Sequence, residues 1–154
     1  METREILKTL REKHDLTQEQ LADRVLVTRQ AVSRWETGET QPNTDTLKLL
    51  SREYGVSINT LLGSPRTLIC QCCGMPLTDD AYISRETDGS FNEDYCKWCY
   101  ADGAFTYSSK ETLVDFLLAN MPNPDNTPED TRRKQFDRGL SQLKRWKEQS
   151  LFDQ

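Results

Sequence analysis

Four of the five cysteines form two pairs whose spacing suits a metal ion. One Cys-x-x-Cys pair is Cys70 and Cys73, the other is Cys96 and Cys99, and 22 residues separate the two pairs. Each pair makes a turn on which two thiolates converge, and two such turns supply the tetrahedral set of four sulfurs that zinc favours. The sequence therefore predicts a Zn²⁺ site whose ligands are Cys70, Cys73, Cys96 and Cys99.

We expect this zinc to be structural. Four thiolates close the coordination sphere, whereas a catalytic zinc keeps one position open for water. The single histidine, His14, lies far along the chain from the cysteines; we expect it to be exposed and without a role, and we expect no enzymatic activity. Cys72 has two interpretations, a partly exposed small residue or a redox or metal-exchange group beside the site. No basic neighbour is placed to activate its thiol, which favours the first.

Another group of polar side chains suits DNA recognition. Arg29, Gln30, Ser33 and Arg34 share one face of a predicted helix, opposite apolar residues on the other face. Glutamine can grip adenine in two places, and arginine can grip guanine likewise. Polar residues before and after this helix suit contacts to phosphates. The predicted DNA-binding residues are Gln18, Thr28, Arg29, Gln30, Ser33, Arg34, Thr40 and Asn43.

Five short predicted helices hold this second group in place. Thr17 and Gln20 form a capping box, and Thr28 is the predicted cap of the next helix. Asn43 or Thr44 is expected to cap a fourth helix, and Ser57 a fifth. Gly38 and Gly55 stand where the third and fourth helices need a left-handed residue to end. The second and third helices with the turn between them make a helix-turn-helix, whose second helix enters the major groove of DNA.

The pattern changes after residues 63–65, and we place a linker at 64–67. Extended pieces are predicted at 81–83 and 90–91, followed by a helix capped by a box of Ser108 and Glu111. A last helix, capped by Thr127 with Pro128 at its first position, is expected to run to about Leu151. Its apolar stripe has near-heptad spacing, so it packs on the cysteine-rich part or forms a dimer seam; we favour packing within the chain. The stripe comprises Phe136, Leu140, Leu143 and Trp146 or Lys147.

Residues 2–63 resemble the Cro/repressor-type (Xre) helix-turn-helix family. The resemblance rests on the segments 16–23 and 27–36 and on Gly38, Pro42, Leu47, Val56 and Ser57. It implies that Arg29, Gln30 and Arg34 contact bases. One position departs from the family: the turn between the two helices often has glycine, but this chain has Leu26. Leucine is strained at positive φ, so the geometry of the turn is left open.

Residues 68–148 resemble the family called "putative zinc ribbon". The matching segments are 70–77, 88–90, 95–100, 103–105 and 143–147. The resemblance implies zinc binding and no known chemistry. With both resemblances, we expect a mainly α protein. It would have a five-helix, lambda-repressor-like DNA-binding domain over 1–63, and a small α+β zinc ribbon with C-terminal helices over 68–154.

Composition limits the functions that this chain can have. The net charge is −5, but the acid is concentrated at 64–120, with four Lys/Arg and nine Asp/Glu, which leaves residues 1–63 nearly neutral. No stretch suits a signal peptide or a membrane span, so we expect a cytoplasmic protein with no membrane partner. The sequence thus predicts a sequence-specific DNA-binding transcriptional regulator, acting as a homodimer on double-stranded DNA, with Thr28–Glu36 in the major groove. The alternatives are an antitoxin-like or protein-interaction module, and a thiol- or zinc-responsive sensor, each acting through the zinc ribbon.

Overall fold

A computed structural model describes residues 1–147 of the 154-residue chain. Contacts between residues divide the chain into two compact units, here called the first and the second unit. The first comprises Met1–Thr67 with Asp88–Phe91, and the second comprises Leu68–Thr87 and the chain from Asn92 onward. Each unit has its own buried side chains, so each is described by itself.

The first unit contains five helices, as the sequence predicts. Thr17, Thr28, Asn43 and Ser57 each accept a hydrogen bond from the backbone N–H three residues on, which confirms four predicted caps. The helices α3 and α4 end at glycines with φ of +83° and +64°. The helices are α1 (Thr3–Lys13), α2 (Gln18–Arg24), α3 (Arg29–Thr37), α4 (Thr44–Tyr54) and α5 (Ile58–Leu61).

A single apolar core joins these five helices. Leu21 of α2, Val32 of α3 and Leu50 of α4 are completely buried, and Leu61 of α5 closes the core. Trp35 is 6% exposed and belongs to the same cluster. Because α3 gives its apolar face to this core, its polar face is turned outward in a fixed orientation.

The second unit contains short strands, one of which begins at Phe91, the last residue assigned to the first unit. They are β1 (Ile83–Arg85), β2 (Phe91–Cys96), β3 (Tyr100–Ala101) and β4 (Ala104–Phe105), paired as β1 with β2 and β3 with β4. The antiparallel β3–β4 hairpin aligns Tyr100 with Phe105. The extended pieces predicted at 81–83 and 90–91 were partly wrong. Asp80–Tyr82 is a 3-10 turn, and β2 extends to Cys96, where it delivers a cysteine to the predicted metal site.

Two helices follow the strands, α6 (Lys110–Asn120) and α7 (Glu129–Leu140). The predicted capping box of α6 was one residue out of register. Ser109 caps the helix and Thr112 reaches back, instead of Ser108 and Glu111. Two adjacent serines can both cap, so the sequence alone does not distinguish the two registers. The predicted cap of α7 was also wrong, because Pro128 occupies the N-cap position and no side chain within the described residues caps that helix.

The predicted last helix is interrupted. It ends at Leu140, a turn follows at 141–143, and a new helical segment covers 144–147, the last residues that the structure describes. The prediction up to Leu151 therefore lies partly outside the described residues. Because of the turn, Phe136, Leu140, Leu143 and Trp146 do not form one continuous helical stripe, which removes the geometric basis of a coiled-coil seam.

Candidate DNA-binding and metal sites

The polar face of α3 is open to solvent. Arg29, Gln30 and Arg34 are exposed, whereas Ser33 is half-buried. The opposite face is formed by Val32 and Trp35, which are 0% and 6% exposed. Arg34 forms a loose ion pair with Glu39, with Nε and Oε2 3.9 Å apart, and both side chains remain exposed. The structure thus brings the predicted base-reading residues together on one exposed surface.

The turn between α2 and α3 adopts a left-handed conformation at a leucine. Leu26 has φ of +59°, and its side chain is 82% exposed. Val27 N–H donates to the carbonyl of Ala22 at 3.0 Å, which holds the turn closed. The question that the sequence left open has a clear outcome: the tight turn forms without glycine, at a cost in backbone strain of about 1–3 kcal/mol.

An ion pair on the inner side of α3 ties three helices together. Arg11 of α1 donates to Glu36 of α3 through Nε at 2.5 Å and Nη2 at 3.1 Å, and Gln18 of α2 donates to the same carboxylate through Nε2 at 2.9 Å. Burial raises the pKa of Glu36, but the hydrogen bonds from Arg11 and Gln18 outweigh it and lower the pKa below its ordinary value. The carboxylate is therefore ionised at neutral pH.

The remaining residues of the predicted DNA-binding set have local roles as well. Thr28 Oγ1 accepts from Ala31 N–H at 3.2 Å, and Asn43 Oδ1 accepts from Thr46 N–H at 2.9 Å. Both residues are exposed, as is Thr40 in the loop after α3. In each case the capping bond uses the side-chain oxygen as an acceptor. The hydroxyl hydrogen of Thr28 and the amide hydrogens of Asn43 are donors that capping does not use.

The four predicted metal ligands converge in the second unit. The sulfurs of Cys70, Cys73, Cys96 and Cys99 all lie within 4.8 Å of one another. Cys73 Sγ and Cys96 Sγ are 3.9 Å apart. A tetrahedral zinc with Zn–S bonds of about 2.3 Å places its sulfurs about 3.8 Å apart, so the observed separation fits that ion.

Two turns deliver these sulfurs. Gly74, with φ of +83°, ends the first turn, and its N–H donates to the carbonyl of Cys70 at 2.8 Å. The backbone N–H groups of Cys73 and Cys96 point at Cys70 Sγ, at 3.5 and 3.2 Å. Cys99 lies just before the β3–β4 hairpin, and Thr106 follows it. The N–H of Thr106 donates to the carbonyl of Cys99 at 2.8 Å. Amides directed at sulfur stabilise a thiolate, which is the form that binds a metal.

The thiols also interact with one another. Hydrogen bonds from the other thiols, led by Cys73, lower the pKa of Cys70. Hydrogen bonding to Cys70 and the remaining thiols raises the pKa of Cys99. Four thiolates this close repel one another strongly unless a cation lies among them, so the four sulfurs and their spacing suit a metal ion.

Comparison with known proteins assigns the family. Residues 69–147 match the family described as "Putative zinc ribbon domain", and this match covers 79 of the 154 residues. The chain belongs to the zinc ribbon family. Residues 7–61 match the family described as "Helix-turn-helix". Both resemblances predicted from the sequence are confirmed, and so is the mainly α fold class.

The relatives of the helix-turn-helix part are transcription regulators. Over 62 residues the chain is 47% identical to the "HTH-type transcriptional activator BcrR" of Enterococcus faecalis, covering 40% of this chain and 30% of that protein. It is 37% identical over 57 residues to the "Uncharacterized HTH-type transcriptional regulator YobD" of Bacillus subtilis, covering 37% of this chain and 51% of that protein. The chain thus spans about a third of the length of the first of these curated relatives and about half that of the second.

Among solved structures, the chain is similar to the P22 c2 repressor protein, crystallised with a synthetic operator. The TM-score is 0.40 and the sequence identity 33%, over 42% of this chain and 97% of the repressor chain. No helix within residues 1–147 is long and apolar enough to cross a membrane.

The C-terminal segment supports the first turn of the zinc ribbon. Trp146 Nε1 donates to the carbonyl of Cys72 at 2.8 Å, and Arg145 N–H donates to the carbonyl of Gln71 at 3.0 Å. Lys144 N–H reaches Gln71 Oε1 at 3.1 Å, and its ammonium pairs with Asp94 at 3.0 Å. The contacts to Gln71 and Cys72 join residues 73 or 74 apart in the chain. Apart from the family resemblance of residues 143–147, nothing in the sequence predicted them.

Cys72 is not the partly exposed residue that the sequence predicts. It is 0% exposed. Its carbonyl accepts from Nε1 of Trp146, whose side chain is also buried. His14 is exposed as predicted, and its ring lies 5.0 Å from that of Tyr54.

Proposed function

We propose that this protein is a sequence-specific DNA-binding transcriptional regulator whose helix α3, with its cap Thr28, enters the major groove. One observation carries the proposal. Arg29, Gln30 and Arg34 are exposed at the front of a helix whose opposite face is locked in the core of a helix-turn-helix domain. Gln30 has the donor and acceptor that adenine requires, and each arginine has the fork that guanine requires. Ser33 lies half-buried on the same face. It would contact a base edge or a sugar where the helix lies deepest in the groove.

Contacts to phosphates would set the register of the helix in the groove. Gln18, at the first position of α2, and Thr40 and Asn43, in the loop before α4, all retain a hydrogen-bond donor. Such contacts position the protein on the duplex, whereas the side chains of α3 select the sequence.

We further propose that Cys70, Cys73, Cys96 and Cys99 hold a structural Zn²⁺. Zinc bound there would supply a fixed tetrahedral junction between the two turns, and four thiolates leave no position for water or substrate. The chain's own turns and strands would position the four cysteines. The turn at Gly74 brings Cys70 and Cys73 together, and β2 with the β3–β4 hairpin fixes Cys96 and Cys99. The relation to transcription regulators and this closed donor set both support a role without enzymatic activity.

The whole protein would act as a homodimer in the cytoplasm. A single small helix-turn-helix makes few base contacts, and two copies one helical turn apart give the specificity that an operator needs. We assign residues 1–63 to DNA binding, 64–67 to a linker and 68–154 to the zinc ribbon, which is the part available for a second copy or for a protein partner.

Selection of bound sequences from a random DNA pool tests the proposed function. The zinc-loaded full chain should enrich a motif with two related half-sites. Enrichment of no motif, with binding that depends only on salt concentration, would overturn the proposal, because backbone contacts alone produce that behaviour.

A further inference from the structure

The carboxylate of Glu36 lies where α1, α2 and α3 meet. Its side chain is 6% exposed and that of its partner Arg11 is 13% exposed, so a charged pair has been removed from water inside a small domain. Taking two charges out of water is costly, and apolar residues of similar size often stabilise a fold as well or better. Stability alone is therefore a weak reason for placing an ion pair there.

The third partner of this carboxylate is Gln18. Its Nε2 donates to Glu36 Oε2 at 2.9 Å, and its side chain is half-buried rather than enclosed. A carboxylate accepts hydrogen bonds and donates none, so only the NH₂ end of the amide can face it. Glu36 therefore fixes both the position and the orientation of the Gln18 amide.

We propose that Glu36 is a positioning residue for DNA binding, which holds the Gln18 amide ready to donate to a phosphate oxygen of the duplex. This inference rests on the proposed function. The NH₂ group has two hydrogens, and within residues 1–147 Glu36 is the only acceptor recorded for them. A glutamine held in one rotamer before binding loses less conformational entropy when the phosphate arrives.

Arg11 makes this arrangement compatible with DNA. A lone carboxylate beside a phosphate contact would repel the duplex. Arg11 donates two hydrogen bonds to Glu36 and cancels its charge. The pair thus presents an oriented donor with no net negative charge.

A double-mutant cycle tests the proposal on a DNA sequence that the wild-type protein selects. Gln18→Ala, Glu36→Gln and the double variant are compared at several salt concentrations. We expect Gln18→Ala and Glu36→Gln each to lose about three- to tenfold in affinity. The salt slope of Gln18→Ala should stay close to that of the wild type, because the amide is neutral and its contact with a phosphate releases no counterion. The double variant should be no weaker than Gln18→Ala, because both changes remove the same contact.

The matched control is Glu53→Gln, which removes the acid of the ion pair with Arg24 and does not touch Gln18. It makes the same change of charge as Glu36→Gln and should lose no affinity for DNA. Fully additive losses in the double variant, or an affinity of Glu36→Gln equal to that of Glu53→Gln, would overturn the role of Glu36 while leaving the proposed function intact. Failure of the wild type to select any DNA would instead overturn the proposed function.

A measurement on the wild type covers the case in which Glu36→Gln does not fold. The side-chain amide signal of Gln18, assigned by its loss in Gln18→Ala, is followed by NMR relaxation. We expect it to be rigid in the free protein and to shift when DNA is added. Motion as free as that of the exposed Gln41 would overturn the proposal.

Discussion

At the residue scale, the selectivity of the protein should reside in a few side chains of α3. Gln30→Ala and Arg34→Ala should each lose about 1–3 kcal/mol of preference for the selected base at one position, because each removes a two-point contact. Competition binding against operators changed at single base pairs measures this loss.

The control for this prediction is Lys48→Ala, which removes an exposed cation of α4 and leaves every side chain of α3 in place. It should weaken binding to all sequences equally or not at all. Unchanged base preference in both α3 variants would show that another surface reads the DNA.

Strain at Leu26 gives a second residue-scale prediction. Its φ of +59° is unfavourable for leucine, and its side chain is 82% exposed, so little packing compensates for the strain. Leu26→Gly should therefore raise the free energy of unfolding by about 1 kcal/mol, after allowing for the greater freedom of glycine in the unfolded chain. Urea unfolding of the full chain measures it. Leu26→Ala is the comparison, since alanine keeps the strain; an equal gain in both variants would contradict this explanation.

The sequence identifies residues well when their spacing is local. The cysteine pairs and the polar face of α3 follow from intervals of a few residues, and the structure places those side chains together. The contact of Glu36 with Arg11 joins residues 25 apart, and that of Trp146 with Cys72 joins residues 74 apart. No local spacing encodes such pairs, so neither they nor the burial of Cys72 could be predicted.

At the scale of elements, the ionised Glu36 links three helices and makes their packing sensitive to pH. Its pKa is lower in the folded protein than in the unfolded chain, where a glutamate titrates near about 4.3. Its contribution to stability is therefore present above that pH and is lost as pH falls through the lower, folded-state pKa.

The difference in free energy of unfolding between wild type and Glu36→Gln should accordingly narrow as pH decreases from 7 to about 3. Chemical denaturation across this range measures it, with Glu53→Gln as the control for a more exposed ion pair. If the difference in free energy of unfolding stayed constant with pH, the charge of Glu36 would not contribute to stability.

The helical segment at 144–147 gives a second element-scale prediction. Trp146→Phe keeps an aromatic ring but leaves the buried carbonyl of Cys72 without its donor, which should cost about 1–3 kcal/mol. Since that carbonyl belongs to the first cysteine turn, a chelator should also remove bound zinc faster. Trp98→Phe is the control, because Trp98 is 51% exposed. If a chelator removed zinc from the two variants at equal rates, a supporting role for Trp146 would be excluded.

Element boundaries show where sequence reasoning is less reliable. Caps in the first unit were correctly predicted because each has a single suitable residue at its position, apart from the choice between Asn43 and Thr44. The register of α6 was wrong because Ser108 and Ser109 are equally able to cap. The turn at 141–143 has no glycine or proline to mark it, and it forms where the chain bends so that residues 144–146 can bond to Gln71 and Cys72.

At the scale of the whole molecule, the two units differ in what stabilises them. The first has a continuous core of buried apolar side chains from all five helices. In the second, four of the buried side chains are cysteines, three of which belong to the proposed metal set. The second unit buries fewer large apolar side chains than the first, so we expect its folding to depend more on a metal crosslink.

Loss of zinc should therefore unfold the second unit alone. In Cys96→Ser, three thiolates remain, and we expect zinc content by elemental analysis to fall well below one ion per chain. The first unit should keep its helical signal and its own unfolding transition, because its apolar core is a cluster of its own side chains that includes no cysteine. Cys72→Ala is the matched control: it removes a buried thiol that is not in the proposed metal set and should retain a full zinc ion. A full complement of zinc in Cys96→Ser would refute the ligand set, whereas unfolding of both units together would show that the first unit depends on the metal as well.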